Sequence, residues 1–488
     1  MMAGSLRLAA AASIPVLRRR EKKKADAEDE AAEDGRVQRA PQRVRRRTFL
    51  GGMGALSLRR ATSAPAASKP DVVFILADDL GYSDIGSYGS PSIRTPHIDS
   101  LATQGVTFTQ CYANAPECTP TRSALMSGAY QQRFGGLECA IGIGNVGRYD
   151  EAIWLQKRDE LGLPPSVITM PRILKDSGYD TALIGKWHLG YLPKFSPNRH
   201  GFDESYGILG GGADYFTHQE ESGLPCFYHN DKPIHQDGYF TDLFTKRAVG
   251  WLKQRSKRPF FLYLAYNAPH LPLQGPDDHG KPPDDRSPER YRKMVERLDW
   301  GVGEVLSQLD RMGAAENTLV VFTSDNGAIP VGSNAPFRGF KSSLWEGGIR
   351  MPCLARFPGV FKPASTTTQV ALGMDWLPTI LTAAKLTPPA GKKIDGINLL
   401  PVLRREVPAF ARTVFWRYKR LAARRKAVRA GDWKYVWDGG KEELHNLAED
   451  PGESRDLLTQ QPETAADLKR KLAAWEEDVR ASRLRDFA

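Results

Sequence analysis

The sequence predicts an α/β protein with a large, mostly parallel sheet sandwiched by helices, and a smaller C-terminal α+β domain with an antiparallel sheet. Two observations predict the larger part: short apolar runs of strand length alternate with amphipathic helical patterns, and each run leads directly into polar residues. Strands that alternate with helices are typical of parallel sheets. A third observation, a proline-rich change of composition near residues 386–410, predicts where the smaller domain begins.

Four apolar runs are the predicted strands of the parallel sheet, and polar side chains follow each of them. Functional residues gather beyond the carboxyl ends of the strands in open α/β sheets, so we expect these side chains to share one cleft. A single polar residue after a strand is more typical of an ordinary loop, and only the repetition favours a site. The runs and the polar residues after them are 71–77 with Asp78 and Asp79, 179–185 with Lys186 and His188, 260–266 with His270, and 318–324 with Asp325 and Asn326.

Two amphipathic helices are predicted between these strands. One covers residues 170–177 and closes at Gly178, because glycine is favoured just after a helix. The other opens at Ser287 and Pro288, a pair typical of helix starts, and stops at Gly313. This order of strand, helix and strand supports the α/β prediction.

Residues 71–405 are the predicted larger domain, which would carry any catalysis, and residues 406–488 the predicted C-terminal domain. Short alternating runs and a final amphipathic stretch predict antiparallel strands and a closing helix in the smaller domain. These elements are predicted at 413–418, 427–430, 433–437 and 463–480.

The net charge of the 488 residues is +11, and its position matters more than its size. The first 70 residues contain 16 Lys and Arg against 7 Asp and Glu, whereas the other 418 contain 52 against 50. The main body therefore lacks both the basic excess and the aromatic and basic platform that would indicate nucleic-acid binding. No apolar run reaches 18 residues, so we expect no stable membrane anchor.

Residues 1–70 have the character of an export leader, and we expect them to be disordered. Arg46-Arg47-Thr48-Phe49-Leu50 resembles the twin-arginine export signature, and a short apolar stretch and a small-residue region, 61–68, follow it. This pattern predicts an exported protein, periplasmic or secreted. A disordered basic arm is the alternative interpretation.

The five cysteines are too few and too scattered to form a disulfide framework. One of them, Cys118, lies in the motif described below. Disulfides among the other four are compatible with export, but the sequence does not pair them. These four are Cys111, Cys139, Cys226 and Cys353.

Three carboxylates and one amide are candidate metal ligands: Asp78, Asp79, Asp325 and the amide oxygen of Asn326. A ligand set made of oxygen atoms suits a hard cation such as Ca²⁺ or Mg²⁺ and does not suit Zn²⁺. Each aspartate taken singly is equally typical of a helix cap or a solvated turn. The motifs elsewhere in the chain decide between these interpretations.

A C-x-P-x-R segment, CTPTRSALMSG, runs from Cys118 to Gly128 and resembles the signature of the type I sulfatases, the formylglycine-dependent arylsulfatase family of the alkaline phosphatase superfamily. The other segments typical of this family follow in the family's order. The resemblance covers about residues 70–455. The segments are Asp78-Asp79, GKWHLG at 185–190, APH at 268–270, SDNG at 324–327, Lys341, EGGIR at 346–350 and ELHNLAEDPG at 443–452.

The resemblance implies two cofactors. One calcium ion binds per chain, and Cys118 is oxidised to formylglycine (3-oxoalanine) by a formylglycine-generating enzyme, a partner during maturation. We expect Cys118 at a helix N-terminus, where backbone N–H groups favour anionic oxygens. The implied metal ligands are Asp78, Asp79, the modified Cys118, Asp325 and Asn326.

The resemblance also implies which residues handle the substrate. Lys186 and Arg122 hold the formylglycine, while Lys341 and His270 grip the sulfate and protonate the leaving oxygen. This division suits the chemistry, because ester hydrolysis moves negative charge onto the bridging oxygen and needs positive donors and a proton there.

Two further residues have implied roles in proton transfer. Asp325 is the base beside the nucleophilic hydroxyl of the hydrated formylglycine, which attacks sulfur. His188 takes the proton whose loss lets sulfate leave. Thr119 and Thr121 stand where serine is frequent in the family, and both keep a small hydroxyl side chain.

The implied reaction is hydrolysis of a sulfate monoester to an alcohol and inorganic sulfate. A phosphatase or phosphonate ester hydrolase of the same superfamily is one alternative, although Asn326 rather than histidine beside Asp325 favours sulfate. An inactive protein that binds sulfated glycans is another. The predicted pocket walls, residues 129–165 and 205–245, are rich in polar groups and favour a sulfated carbohydrate, with an aryl sulfate left open.

Overall fold

The computed structural model describes residues 69–487. The predicted leader, apart from its last two residues, lies outside this range. Among the residues described, no helix has the length and apolar character needed to cross a membrane.

Three sheets are present in the described part of the chain, with ten, three and four strands. The strands are β1 Asp71–Ala77, β2 Val106–Phe108, β3 Cys111–Tyr112, β4 Asp180–Lys186, β5 Glu204–Ile208, β6 Phe227–His229, β7 Lys232–Pro233, β8 Phe260–Ala265, β9 Thr318–Ser324, β10 Arg350–Met351, β11 Cys353–Arg356, β12 Ser365–Thr367, β13 Ala371–Leu372, β14 Thr413–Arg420, β15 Ala423–Ala430, β16 Trp433–Asp438 and β17 Lys441–Asn446.

The ten-stranded sheet has the order β12-β2-β11-β9-β1-β8-β4-β5-β6-β7. Its five central neighbours, from β9 to β5, are mutually parallel, and most of the antiparallel pairs lie toward the edges. The four strands predicted from the sequence are β1, β4, β8 and β9, which lie side by side. Ala77 pairs with Ser324, and Gly185 with Ala265, so these strands end at the same edge.

Helices cover both faces of this sheet, which confirms the predicted fold class. Alternate side chains of β1 enter different cores: Phe74 packs with α2, α3, α4 and α8, whereas Val73 and Ile75 pack with α1, α5 and α6. The helices are α1 Pro96–Gln104, α2 Cys118–Ser127, α3 Asp150–Gln156, α4 Met170–Asp176, α5 Phe240–Lys253, α6 Pro288–Arg311, α7 Glu346–Ile349, α8 Trp376–Ala383, α9 Leu400–Leu403 and α10 Pro462–Asp478.

The C-terminal strands form an antiparallel meander, β14-β15-β16-β17, with α10 against it. The structure extends β15 back to Ala423 and adds β17, which the sequence analysis did not predict. Both stretches are rich in charged residues, so their strand pattern is weak. Trp416 Nε1 donates to Ala113 O at 2.8 Å, which ties this sheet to the segment before α2. The boundary at residue 405 stays a prediction.

Candidate active site

The polar residues that follow the four predicted strands meet at the carboxyl edge of the sheet. Asp78 and Asp79 follow β1, and Asp325 follows β9. Asp79 N donates to Asp325 Oδ1 at 3.3 Å, although the two residues are 246 positions apart in the sequence. The parallel arrangement of the central strands therefore assembles one polar cluster from distant parts of the sequence.

Cys118 is the first residue of α2, as the sequence predicts, and its side chain is buried. Its Sγ donates to Asp78 Oδ1 at 3.3 Å. Burial, followed by the nearby Asp325 and Asp78 carboxylates, raises the pKa of Cys118 well above its ordinary value. The unmodified side chain is consequently a neutral thiol, a poor nucleophile.

The small hydroxyl residues of the motif fix its surroundings. Thr119 Oγ1 donates to His188 O at 2.9 Å and accepts from Ile141 N at 3.1 Å. Thr121 Oγ1 donates to Ala115 O at 3.0 Å. A threonine hydroxyl makes these bonds as a serine would, so the departure from the common signature leaves the geometry intact.

Each of the three buried carboxylates has a cation beside it. Lys186 Nζ donates to Asp78 Oδ2 at 2.5 Å, and Lys341 Nζ donates to Asp79 Oδ2 at 2.7 Å. The third pair joins an Arg122 guanidinium nitrogen and Asp325 Oδ2 at 2.7 Å.

The surroundings lower the pKa of the Asp79 carboxyl group and raise that of the Asp325 carboxyl group. Burial acts to raise the pKa of Asp79, but Lys341, His270 and Lys186 together hold it well below its usual value. Burial and then the Asp78 carboxylate raise the pKa of Asp325 to about 6, although Arg122 opposes this. Burial acts to lower the pKa of Lys341, but Asp79 and the other nearby acidic groups together raise it, so Lys341 stays protonated.

The cluster fits a hard divalent cation. Ligand atoms of Asp78, Asp79, Cys118 and His270 all lie within 4.8 Å of one another. Asn326 Nδ2 donates to Asp79 Oδ1 at 2.6 Å, and this leaves the buried Asn326 Oδ1 without a hydrogen-bond partner within residues 69–487. A buried acceptor without a donor costs free energy, and a cation would satisfy it.

The two predicted histidines are both neutral. His188 Nε2 donates to Ile141 O at 2.9 Å, so the buried Nδ1 keeps a lone pair, and burial, then Lys186, lowers its pKa well below the ordinary value. His270 Nδ1 donates to Leu271 O at 2.7 Å, and burial, then Lys341, lowers the pKa of His270 to about 3.

A cavity of about 790 Å³ opens onto this cluster. Cys118, His188, His270 and Lys341 form its floor, and both predicted wall segments contribute residues. The backbone at Gly211 and Gly212 approaches the two histidines closely: a Cβ would lie 2.7 Å from His188 Cε1 and 3.0 Å from the His270 ring. The volume of the cavity suits an organic ligand of moderate size.

Three charged residues at this site were not predicted from the sequence. Glu117, fully buried beside Cys118, accepts from Ser342 Oγ and Tyr418 Oη, both at 2.7 Å. Arg420 from β14 pairs with Glu117 Oε1 at 2.5 Å and lines the cavity, as does Arg148. The sequence offers no clear signal for either arginine, because each stands outside the recognised motifs.

Comparisons with known proteins agree on one family. The model of the sulfatase family matches residues 70–386, and the model of the N-sulphoglucosamine sulphohydrolase C-terminal region matches residues 339–478. The chain is 34% identical to human N-acetylgalactosamine-6-sulfatase over 376 residues, 72% of this chain and 67% of that protein. It is 33% identical to mouse steryl-sulfatase over 465 residues, 77% of this chain and 71% of that protein.

Solved structures show the same relationship. The crystal structure of Ps i-CgsB in complex with k-i-k-neocarrahexaose superposes with a TM-score of 0.76 at 32% identity. The match covers 85% of this chain and 94% of that one.

Proposed function

The chain belongs to the sulfatase family, and from that premise we propose that it hydrolyses the sulfate ester of a sulfated carbohydrate, using formylglycine at position 118 and a calcium ion. The observation that carries this proposal is the placement of Cys118 at the floor of the cavity, among Asp78, Lys186 and Lys341. A phosphatase of the same fold stays the second candidate, and the experiment below separates the two.

Asp78, Asp79, Asp325 and Asn326 would hold the calcium ion, together with the modified residue 118. The unpaired Asn326 Oδ1 and the buried carboxylates support this ligand set. When bound, calcium supplies positive charge that stabilises the negative oxygens of the reacting group, and the formylglycine supplies the nucleophilic oxygen.

Lys186 and Arg122 position the side chain at residue 118. Lys186 Nζ contacts Asp78, the same carboxylate that accepts from Cys118 Sγ. Arg122 is 1% exposed and bonds both Asp325 and Lys186 O, so it holds two strand ends at fixed positions. Rigid placement of this kind keeps the nucleophilic oxygen in line with the substrate.

Lys341 and His270 both face the sulfate site, and Lys341 is the one of the two that has a proton to donate there. Its ammonium group stays protonated beside Asp79 and lines the cavity, whereas the neutral His270 carries its proton on Nδ1, where Leu271 O accepts it. His188 Nδ1, with its free lone pair, accepts the proton whose loss releases sulfate.

The carbohydrate substrate is supported by both the cavity and the relatives. The cavity walls carry polar side chains such as Asp214, Thr217 and Gln219, which can bond sugar hydroxyls. One relative is named an N-acetylgalactosamine-6-sulfatase, and another was solved with a carrageenan-type hexasaccharide.

An assay of 4-nitrophenyl sulfate beside 4-nitrophenyl phosphate tests the reaction class. We expect the kcat/KM for the sulfate to exceed that for the phosphate by at least about 100-fold, a difference of roughly 2.7 kcal/mol in transition-state stabilisation. Equal kcat/KM values for the two esters would favour the phosphatase over the sulfatase.

Export belongs to the same proposal, with residues 1–70 removed as a twin-arginine leader. N-terminal sequencing of the protein recovered from outside the cytoplasm tests this. A mature chain that begins close to residue 70 supports it, and a twin-lysine change at Arg46 and Arg47 should keep the protein inside. Unchanged export of that variant would contradict the leader assignment.

A further inference from the structure

Two arginines that line the cavity, Arg148 and Arg420, pair with none of the carboxylates Asp78, Asp79 and Asp325. Arg148 belongs to the loop before α3, and Arg420 is the last residue of β14. Leu421 N donates to Arg148 O at 2.6 Å, so the two segments are joined directly beside both side chains. Both residues line the same cavity as Cys118.

The protein neutralises only part of the positive charge of this pair. Arg420 pairs with Glu117 through one nitrogen only, and its side chain is 34% exposed. Arg148 is half-buried and makes no ion pair or side-chain hydrogen bond within residues 69–487. The other two cations that line the cavity, Lys341 and Arg420, each have a carboxylate partner, whereas Arg148 has no ion pair within residues 69–487.

Four acidic residues line the cavity: Asp214, Glu220, Glu221 and Asp285. Glu220 accepts from Tyr191 Oη at 2.9 Å, and Glu221 is exposed. Asp214 accepts from Phe216 N, Thr217 N and Gln274 Nε2 at 2.7–2.9 Å. Asp285 accepts from Leu273 N at 2.9 Å. The Asp214 and Asp285 carboxylates stabilise turns, so they do not serve as partners for the two arginines.

We propose that Arg148 and Arg420 form a second anion subsite, which accepts a carboxylate or a further sulfate group of the substrate. Guanidinium groups bind both anions through paired N–H donors. Arg420 bonds Glu117, the residue directly before Cys118, so the second anion lies on the sugar that carries the reacting ester or on its neighbour. This inference rests on the proposed function and narrows its substrate class to polyanionic carbohydrates.

Arg148→Met tests the subsite, because Met keeps the apolar length of the side chain and removes its charge. The substrates are 4-nitrophenyl sulfate, a monosulfated hexosamine, the same sugar with a second sulfate, and a monosulfated disaccharide whose other sugar is a uronic acid. We expect kcat/KM to fall by about 10- to 100-fold on whichever doubly anionic sugar the wild type prefers, and to change less than about twofold on the singly charged substrates.

Arg424→Met is the matched control. Arg424 lies on the same hairpin, is 33% exposed and pairs with Asp150 at 3.7 Å, but it does not line the cavity. We expect this variant to keep wild-type kcat/KM on all four substrates. Loss on the disulfated sugar alone identifies a sulfate as the second anion, and loss on the uronic acid disaccharide alone identifies a carboxylate.

Three outcomes would overturn the inference. The first is an equal loss of kcat/KM on all four substrates, and the second is no loss on either doubly anionic sugar. The third is a wild-type enzyme that does not prefer the doubly anionic sugars, and this measurement does not depend on the folding of any variant. If the wild-type enzyme also does not hydrolyse 4-nitrophenyl sulfate or the monosulfated sugar, both the proposed function and this inference are wrong. If it hydrolyses those two substrates but does not prefer doubly anionic sugars, only the anion subsite is wrong.

Discussion

The side chain at position 118 lies in a buried site that holds three carboxylates and three cations, and this setting limits its chemistry. Burial and the carboxylates keep the Cys118 thiol protonated, while Lys186 and Lys341 offer positive charge to an anionic oxygen. The site is therefore better suited to an oxygen nucleophile than to a thiolate. This match between residue 118 and its neighbours is the basis of the proposed reaction.

Lys341→Met should lower kcat/KM on 4-nitrophenyl sulfate by about 100- to 1,000-fold, because one donor to the sulfate and the proton for the leaving oxygen are lost together. The measurement is steady-state kinetics at matched folded content, checked by circular dichroism. Lys362→Met, at an exposed position outside the cavity, is the control and should keep full activity. A Lys341→Met variant with more than about a tenth of wild-type activity would remove Lys341 from the catalytic group.

The sequence located the residues that follow strands better than those that reach the site from elsewhere. Asp78 and Asp325 could be predicted together, because both follow apolar runs and parallel strands end at a common edge. Glu117 and Arg420 could not, since their contact joins positions 303 residues apart and neither follows a strand of the parallel sheet. Arg148 lies in a loop, where no local pattern indicates which way a side chain points.

At the scale of single elements, buried ion pairs connect β16 to the segment around α7. Lys434 Nζ lies 2.9 Å from Glu346 Oε1 and 2.8 Å from Glu453 Oε1, and all three side chains are fully buried. Glu346 also accepts from Tyr112 Oη at 2.6 Å and from Arg350 at 3.1 Å. Glu346 and Glu453 therefore share Lys434 in the interior, and Arg350 supplies a second cation to Glu346.

Lys434→Met should lower the free energy of unfolding by about 3–5 kcal/mol, because it leaves buried carboxylates without their shared cation. Lys441→Met on β17 is the control: Lys441 pairs with Glu443 but is 72% exposed, so we expect a loss below about 1 kcal/mol. Urea denaturation measures both values. Equal losses in the two variants would show that the buried cluster has no special role.

A second contact between elements depends on pH. Asp299 of α6 accepts from Ile98 N at 2.8 Å and His97 N at 3.4 Å, at the start of α1. Burial raises the pKa of Asp299 to about 6, although these bonds oppose it. The folded state then holds a proton that the unfolded state releases, so this contribution to stability is complete below pH 3.8 and is lost as the pH rises through about 6.

Asp299→Asn cannot ionise, so its stability relative to wild type should rise with pH by up to about 3 kcal/mol between pH 4 and pH 7.5. Urea denaturation of both proteins at the two pH values measures this difference. The comparison cancels other groups that titrate in the same range. A constant difference would mean that the pKa of Asp299 is not raised.

The elements themselves were predictable where their patterns are strong. The strands β1 and β9 match the predicted bounds, because continuous apolar runs of this length are typical of strands buried on both faces. β17, with the sequence KEELHN, was missed, since its charged residues and lack of β-branched side chains hide the strand pattern. The antiparallel pairing with β16 stabilises β17 as a strand, although its own sequence has a weak preference for one.

At the scale of the whole molecule, one sheet edge, one helix and one C-terminal hairpin meet at the base of the cavity, and loops within 140–148, 211–223 and 270–285 form most of its walls. The sheet supplies the carboxylates, α2 supplies position 118, and the hairpin supplies Arg420 through its bond to Glu117. The C-terminal sheet therefore contributes to the site and does not only support the fold. The family model of the C-terminal region, which matches residues 339–478, includes this hairpin.

Removing divalent cations with a chelator should abolish sulfatase activity and lower the thermal midpoint of unfolding. Calcium at about 1,000 times its dissociation constant would stabilise the folded chain by about 4 kcal/mol, since the unfolded chain lacks the site. Calcium should restore both properties, and Asp79→Asn should abolish the thermal response. Full activity in the presence of the chelator would contradict the calcium proposal.

Peptide mass spectrometry of the segment that contains residue 118, from protein made in a host with a formylglycine-generating enzyme, tests the central claim most directly. We expect a side chain with one sulfur and two hydrogens fewer than cysteine and one oxygen more, in a protein that cleaves 4-nitrophenyl sulfate. An unmodified cysteine in a fully active enzyme would contradict it.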